Sequence, residues 1–242
     1  MSEKYEKQIY LAMLAEQCNR YNDMMRFLEE MVKNKTEDLT SDERNLLSIA
    51  YKNTISQDRQ AIRTLLAYES KEAKKVESSY IEWIREYKTK VQKELEELCN
   101  KICNTIDKDL LPKATTDEAK VFYHKMKGDH YRYIAENVDG EIKKKYSDLG
   151  LNAYNEAQSA SSSLEYKSPV KLGLALNLSV FYYEVVGNKA EACKLAEETL
   201  NKAKDALNGA DEEDDEVKDA QSIVNLLDEN LSMWKTEDGN DE

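Results

Sequence analysis

The stretch Tyr51-Lys-Asn-Thr-Ile-Ser-Gln-Asp-Arg-Gln-Ala-Ile-Arg63 reads as helix, and it gathers three cations on one side. At 100° per residue, Lys52, Arg59 and Arg63 fall within about 40° of one another. Arg59 and Arg63 stand one turn apart, a like-charge pair that costs an isolated helix about 0.2–0.5 kcal/mol. Three cations on one stripe run against a chain whose net charge is −13. Two readings are open. One is a solvated basic face. The other is an anion site, because guanidinium forks match the bidentate geometry of phosphate.

Working outward, Lys, Glu, Leu and Ala dominate the 242 residues, with 7 glycines and 2 prolines. That composition predicts a mainly helical protein. A pI near 4.9 argues against a general nucleic-acid binder, which needs a broad basic footprint, but leaves room for a local basic pocket. The charged start Met1-Ser-Glu-Lys-Tyr-Glu-Lys lacks the apolar run of a signal peptide, and no stretch approaches the roughly 18 apolar residues of a membrane span. The expectation is a soluble protein of the cytoplasm, with the nucleus as a second location, and no membrane partner. Cys18, Cys99, Cys103 and Cys193 read as reduced thiols. No metal site or cofactor is expected.

The chain predicts nine helices and no strand. The first two cover Tyr5 to Cys18 and Tyr21 to Lys33, too short to bury a face alone, so residues 1–34 read as an assembly surface. Thr40 and Glu43 form a capping box that opens a third helix reaching Ser70. A fourth runs from Val76 to Leu111, where Pro112 stops it. Thr115 and Glu118 read as a second capping box for a fifth helix to Glu136. After the Asp139-Gly140 turn a sixth reaches Ser163. Ser168-Pro169 reads as a cap with proline at the first helical position of the seventh, which ends at Gly187. Asn188 with Glu191 opens the eighth, ended by Asn208-Gly209. The ninth spans Val217 to Trp234. Residues 1–234 thus read as a single helical domain, and 235–242 as a short acidic disordered tail.

The fifth helix repeats the theme. Lys125 and Arg132 lie within about 20° of one another, with Asp129 placed to hold a guanidinium and Tyr133 to donate a phenol. Alone, that is a surface ladder worth little. On the seventh helix Leu176, Asn177, Val180 and Glu184 share a sector of roughly 100°. On the ninth, Ile223, Leu226, Asn230, Met233 and Trp234 form an apolar stripe holding one amide. Core packing accounts for both stripes, except that a buried amide needs partners. Cations on one side and apolar-plus-amide stripes on the other would suit an extended, phosphorylated segment.

Several blocks then resemble the 14-3-3 proteins: Arg44-Asn-Leu-Leu-Ser-Ile-Ala-Tyr-Lys-Asn53, Lys120 to Tyr133, Leu172 to Glu184, and the C-terminal Asn230-Leu-Ser-Met-Trp234. The resemblance is collinear from Leu14 to Trp234. It implies an all-α subunit of nine antiparallel helices, cup-shaped with an amphipathic groove, no catalysis, and a homodimer or a heterodimer with a related subunit. Its implied ligands are phosphoserine or phosphothreonine segments of client proteins. The phosphate site would be Lys52, Arg59, Arg132 and Tyr133, with Arg63, Lys125 and Asp129 in support. Asn177, Glu184 and Asn230 would meet the peptide main chain. Leu176, Val180, Ser222, Ile223 and Leu226 would form the apolar wall. The dimer surface would use Leu14, Cys18, Arg20, Tyr21, Asp23, Leu65, Tyr87, Lys90 and Glu94, with Arg20 pairing Glu94 and Asp23 pairing Lys90 across subunits.

Departures stand beside these matches. Ser222 replaces an apolar wall residue, a change worth about 1–2 kcal/mol of transfer energy. Asp58 sits next to Arg59, and Ala61 stands where some relatives carry a phosphorylated serine. Ser222 and the altered last helix, Asp219-Ala-Gln-Ser-Ile-Val-Asn225 with Asp228-Glu229, keep open a second class of function, a scaffold of the same fold that binds unphosphorylated or acidic segments. An enzyme is not expected: His124 and His130 point to different helix faces, and no nucleophile–base motif or phosphate-cradling glycine loop occurs.

Overall fold

The computed structural model describes residues 5–75, 79–211 and 213–239. Among these it holds nine α-helices and no strand: α1 (Glu6–Gln17), α2 (Tyr21–Asn34), α3 (Ser41–Glu72), α4 (Ile81–Thr105), α5 (Asp117–Ala135), α6 (Gly140–Ala160), α7 (Pro169–Phe181), α8 (Lys189–Leu207) and α9 (Asp215–Gly239). The expected all-α class holds. Two compact units divide the chain, one of Met1–Thr115 with Tyr133–Lys144, the other of Thr116–Arg132 with Lys145–Glu242.

In the first unit α1 packs on α2, α2 on α3 and α3 on α4. The start of α3 is fixed as its sequence dictates. Glu43 N–H donates to Thr40 Oγ1 at 3.3 Å, and Glu43 Oε2 accepts from Thr40 N–H at 2.8 Å. The same carboxylate pairs with Lys35, and both side chains are buried. Such a pair costs desolvation, and removing one partner strands the other. Met24, Leu28, Leu47, Tyr51, Ile55 and Ile62 fill the core beneath.

In the second unit α7, α8 and α9 pack on one another. Ala192, Ala196, Leu200 and Ala203 of α8 meet Ala220, Val224, Leu227, Leu231 and Trp234 of α9. Trp234 stacks on Tyr183 at 4.7 Å.

Four boundaries differ from the sequence reading. The helix expected from Val76 begins as α4 at Ile81, Val76 itself lying outside the described residues; past Thr105 it widens into a π turn, Ile106–Leu110, before a 3-10 turn carries Pro112. The cap of α5 is Thr116, not Thr115: Thr116 Oγ1 accepts from Ala119 N–H at 3.1 Å. Ser168 precedes Pro169 as expected, yet its side chain makes no capping bond. α9 continues through Gly239, so Lys235 and Thr236, expected in a disordered tail, are helical. Thr236 Oγ1 donates to the Ser232 carbonyl there at 2.8 Å. Elsewhere the punctuation acts as read. Gly187, at φ +74°, ends a π turn that continues α7, and Asn188 Oδ1 caps α8 by accepting from Glu191 N–H at 3.1 Å.

Candidate functional site

In the first unit Lys52 and Arg63 are exposed on α3, and neither forms an ion pair among the described residues. Arg59, between them, is held. Its guanidinium lies 4.2 Å from the centre of the Tyr133 ring, and Nη2 donates to Glu136 Oε2 at 2.7 Å. Its Nε is buried with no hydrogen-bond partner. A cation fixed on an aromatic face keeps its planar fork oriented, so less entropy is lost when it grips an anion. Arg59 thus faces Glu136, and Asp58 adjoins it in sequence. Burial, reinforced by Glu94, pushes the Asp58 carboxyl above the usual carboxylate range.

In the second unit Asp129 is the hub. It is 6 % exposed and receives Lys125 Nζ at 3.0 Å, Tyr154 Oη at 2.6 Å and Asn177 Nδ2 at 2.8 Å. Arg132 Nη2 stands 3.8 Å from it. Burial opposes ionisation of Asp129, but Lys125, Arg132 and the Tyr154 hydroxyl outweigh it and hold the carboxyl below its ordinary range. Two cations against one carboxylate leave this cluster net positive. Gly128 makes the arrangement possible: a Cβ there would lie 2.7 Å from the Tyr154 ring. The neighbouring His130 is buried and donates Nδ1–H to the Met126 carbonyl at 2.6 Å. Burial, eased by that bond, lowers its pKa to about 4.

The two apolar stripes are not core. On α7 the buried positions are Leu172, Leu174, Leu178 and Phe181, while Leu176, Asn177 and Val180 remain half-buried. On α9, Leu226 is 49 % and Met233 51 % exposed, and Ile223 and Asn230 are half-buried. Trp234 belongs to the core rather than to that stripe. Glu184 is exposed on its π turn. Ser222 is exposed, its hydroxyl donating to the Lys218 carbonyl at 3.0 Å. Leu176, Val180 and Ile223 rest one side on the core of this unit, while Leu226 and Met233 stand exposed beside them.

At the front of the first unit Leu14, Cys18, Arg20, Tyr87, Lys90 and Glu94 are exposed, and Asp23 and Leu65 half-buried. Arg20 pairs with Asp23, to which Arg26 also reaches at 3.2 Å, and Lys90 reaches Glu94 at 3.7 Å. The charges expected to bridge subunits are therefore paired within the chain. A groove of about 630 Å³ lined by Tyr21, Ala61, Leu65 and Tyr87 opens beside them.

Two residues, one in each unit, escape sequence reading. Glu136 follows Arg132 by one turn, but nothing in the spacing tells that it reaches Arg59 on another helix. Tyr154 is signalled only by Gly128, whose missing side chain leaves the room its ring fills.

Comparison with known proteins decides the family. A family model for the 14-3-3 protein matches residues 11–235. The chain belongs to the 14-3-3 family. It is similar to 14-3-3 protein 7 of Solanum lycopersicum, 42 % identical over 98 % of this chain and 93 % of that one. Against the 14-3-3-like protein GF14 nu of Arabidopsis thaliana the identity is 42 %, covering 100 % and 91 %. Against the 14-3-3-like protein A of Hordeum vulgare it is 42 %, covering 98 % and 92 %. Membership of the 14-3-3 family carries the general role of an adaptor that binds phosphorylated peptide segments, and not that of an enzyme. Among the described residues no helix is long and apolar enough to cross a membrane.

Proposed function

We propose that this chain is a dimeric adaptor of the cytoplasm, with the nucleus as a second location, that regulates client proteins by clamping or sequestering segments bearing phosphoserine or phosphothreonine. Residues 1–234 act as one functional domain. Lys52, Arg59, Arg132 and Tyr133 bind the phosphate, with Arg63 and Lys125 widening the positive field and Asp129 positioning its neighbours. Asn177, Glu184 and Asn230 meet the peptide main chain, and Leu176, Val180, Ile223 and Leu226 receive its apolar side chains. A second copy of this chain or a related subunit covers the front surface of α1 and α2, raising the effective concentration of a second site on the same client.

The observation that carries the reading is Arg59, oriented by Tyr133 at 4.2 Å with a buried Nε that lacks a partner. In an acidic chain this spends desolvation on a cation without completing its bonds, which an arriving phosphate would do. The test is a fluorescence anisotropy titration with an Arg-Ser-x-phosphoSer-x-Pro peptide and its unphosphorylated twin. Binding of only the phosphorylated form, lost in Arg59→Ala/Arg132→Ala, is expected. Discrimination retained in that double variant would sink the assignment. Equal binding of both peptides by the parent protein would favour the scaffold of the same fold. Light scattering at micromolar concentration tests the dimer, and a monomer would refute it.

A further inference from the structure

We propose that Ser168 is a phosphorylation site for a proline-directed protein kinase, a modification of the adaptor itself distinct from the phosphate it binds. The chain contains 2 prolines, and Pro112 follows a leucine, so Ser168-Pro169 is its single hydroxyl–proline step. The sequence runs Ser168-Pro-Val-Lys171. Proline brings no N–H into a kinase's cleft, so a cleft with an apolar pocket and no acceptor beyond the hydroxyl selects it, and a cation at the third position beyond adds charge recognition.

The local structure leaves the hydroxyl available. Ser168 occupies the position before α7 at φ −68° and ψ 121°, the extended conformation that a kinase cleft receives and that the following proline imposes. Its side chain makes no capping bond, and the residue is half-buried. Local opening has to free only the residues before Leu172, which is itself buried in the core. The backbone here is held by Ser168 N–H on the Glu165 carbonyl at 3.1 Å and Leu172 N–H on the Ser168 carbonyl at 3.0 Å. Gly173 has open space where a side chain would be, and a helical glycine that packs against nothing loosens the first turn. Lys171 Nζ, on the carbonyls of Ser161 at 3.1 Å and Leu164 at 2.7 Å, is released as that turn opens.

In the reaction Ser168 Oγ forms a bond to the γ-phosphorus of ATP as the bond to the β,γ-bridging oxygen breaks. ADP leaves, and the hydroxyl proton passes to the kinase's carboxylate base. The product suits its surroundings. A dianion at the start of α7 meets the first-turn N–H groups, which have no acceptor inside the helix, and lies next to Lys167 and near Lys171 in sequence. Modification therefore tightens the helix start instead of melting it.

The experiment incubates the full-length protein with ATP and a cyclin-dependent kinase, reading intact mass and the modified position by peptide mapping. The peptide spanning 164–174 serves as a control for kinase recognition. Stoichiometric phosphate on Ser168, absent in Ser168→Ala, is expected, with a raised unfolding temperature for the modified protein. Gly173→Ala, which stiffens the first turn, should slow incorporation several-fold while leaving the peptide's rate nearly unchanged. Modification of the peptide but not of the native protein would overturn the proposal, as would failure of both or phosphate at another residue. A lowered unfolding temperature would overturn the tightening of α7.

Discussion

Asn177 donates its amide to Asp129 Oδ1 at 2.8 Å, the oxygen that also accepts the Tyr154 hydroxyl at 2.6 Å. One buried carboxylate thus fixes a cationic helix and an amide-bearing one. Asp129→Asn keeps the volume but leaves Lys125 and Arg132 facing a neutral group. Breaking a buried pair in this way costs about 3 kcal/mol, read as a lower urea midpoint. Loss of phosphopeptide binding should accompany it.

Arg59→Lys tests geometry apart from charge. A lysine keeps the positive charge near Glu136 but cannot present a planar fork or stack as flatly on Tyr133. Stability should change by about 1 kcal/mol, since lysine keeps the charge beside Glu136. Affinity for the phosphorylated peptide should fall roughly tenfold, the loss of about one charge-assisted bond. Calorimetry on the same sample gives both numbers.

The helical class and several helix boundaries were legible, because caps and breakers act locally: Thr40 and Asn188 open helices, and Gly187 and Gly209 follow them, where the sequence places them. The widening of α4 and α7 into π turns was not legible, because a π turn depends on packing of the neighbours, not on a residue type. The cations of the candidate site were visible as same-face spacing on single helices. What holds each one was not. Glu136 on Arg59 and Tyr154 on Asp129 are contacts between helices, and periodicity along one helix carries no information about the next.

His130 sets a pH dependence. Its pKa is lowered to about 4 by burial, so the fold keeps it neutral while the unfolded chain takes up a proton near pH 6.5. Stability therefore declines as pH falls from about 6.5 to 4, by about 3 kcal/mol in all. Below that window the depressed Asp129 carboxyl adds its own loss as it is protonated. A variant such as His130→Asn should flatten the upper part of the profile, seen by denaturant titrations at stepped pH.

Ser222→Leu would extend the exposed stripe of Ile223 and Leu226. If a peptide's apolar side chain covers that position, about 1–2 kcal/mol of transfer energy is gained. Anisotropy titration should show at least a fivefold tighter complex for peptides with an apolar residue there, and no change for polar ones.

Gly128→Ala places a methyl 2.7 Å from the Tyr154 ring, so that ring must move. The loss should be about 2 kcal/mol, in the range for overpacked cores. The shift would also lift Tyr154 off Asp129, and phosphopeptide affinity should drop with thermal stability.

The exposed faces of α1, α4 and α9 carry Tyr10, Trp83, Leu226 and Met233 at 66, 63, 49 and 51 % exposure. An uncharged protein with such a surface would stick to its own copies without order. A net charge of −13 keeps molecules apart by mutual repulsion, so only a shape-matched or charge-matched surface can approach closely. That shield is a function of acidity. Near the isoelectric point of about 4.9 it vanishes, and turbidity should set in there, before the native helices are lost.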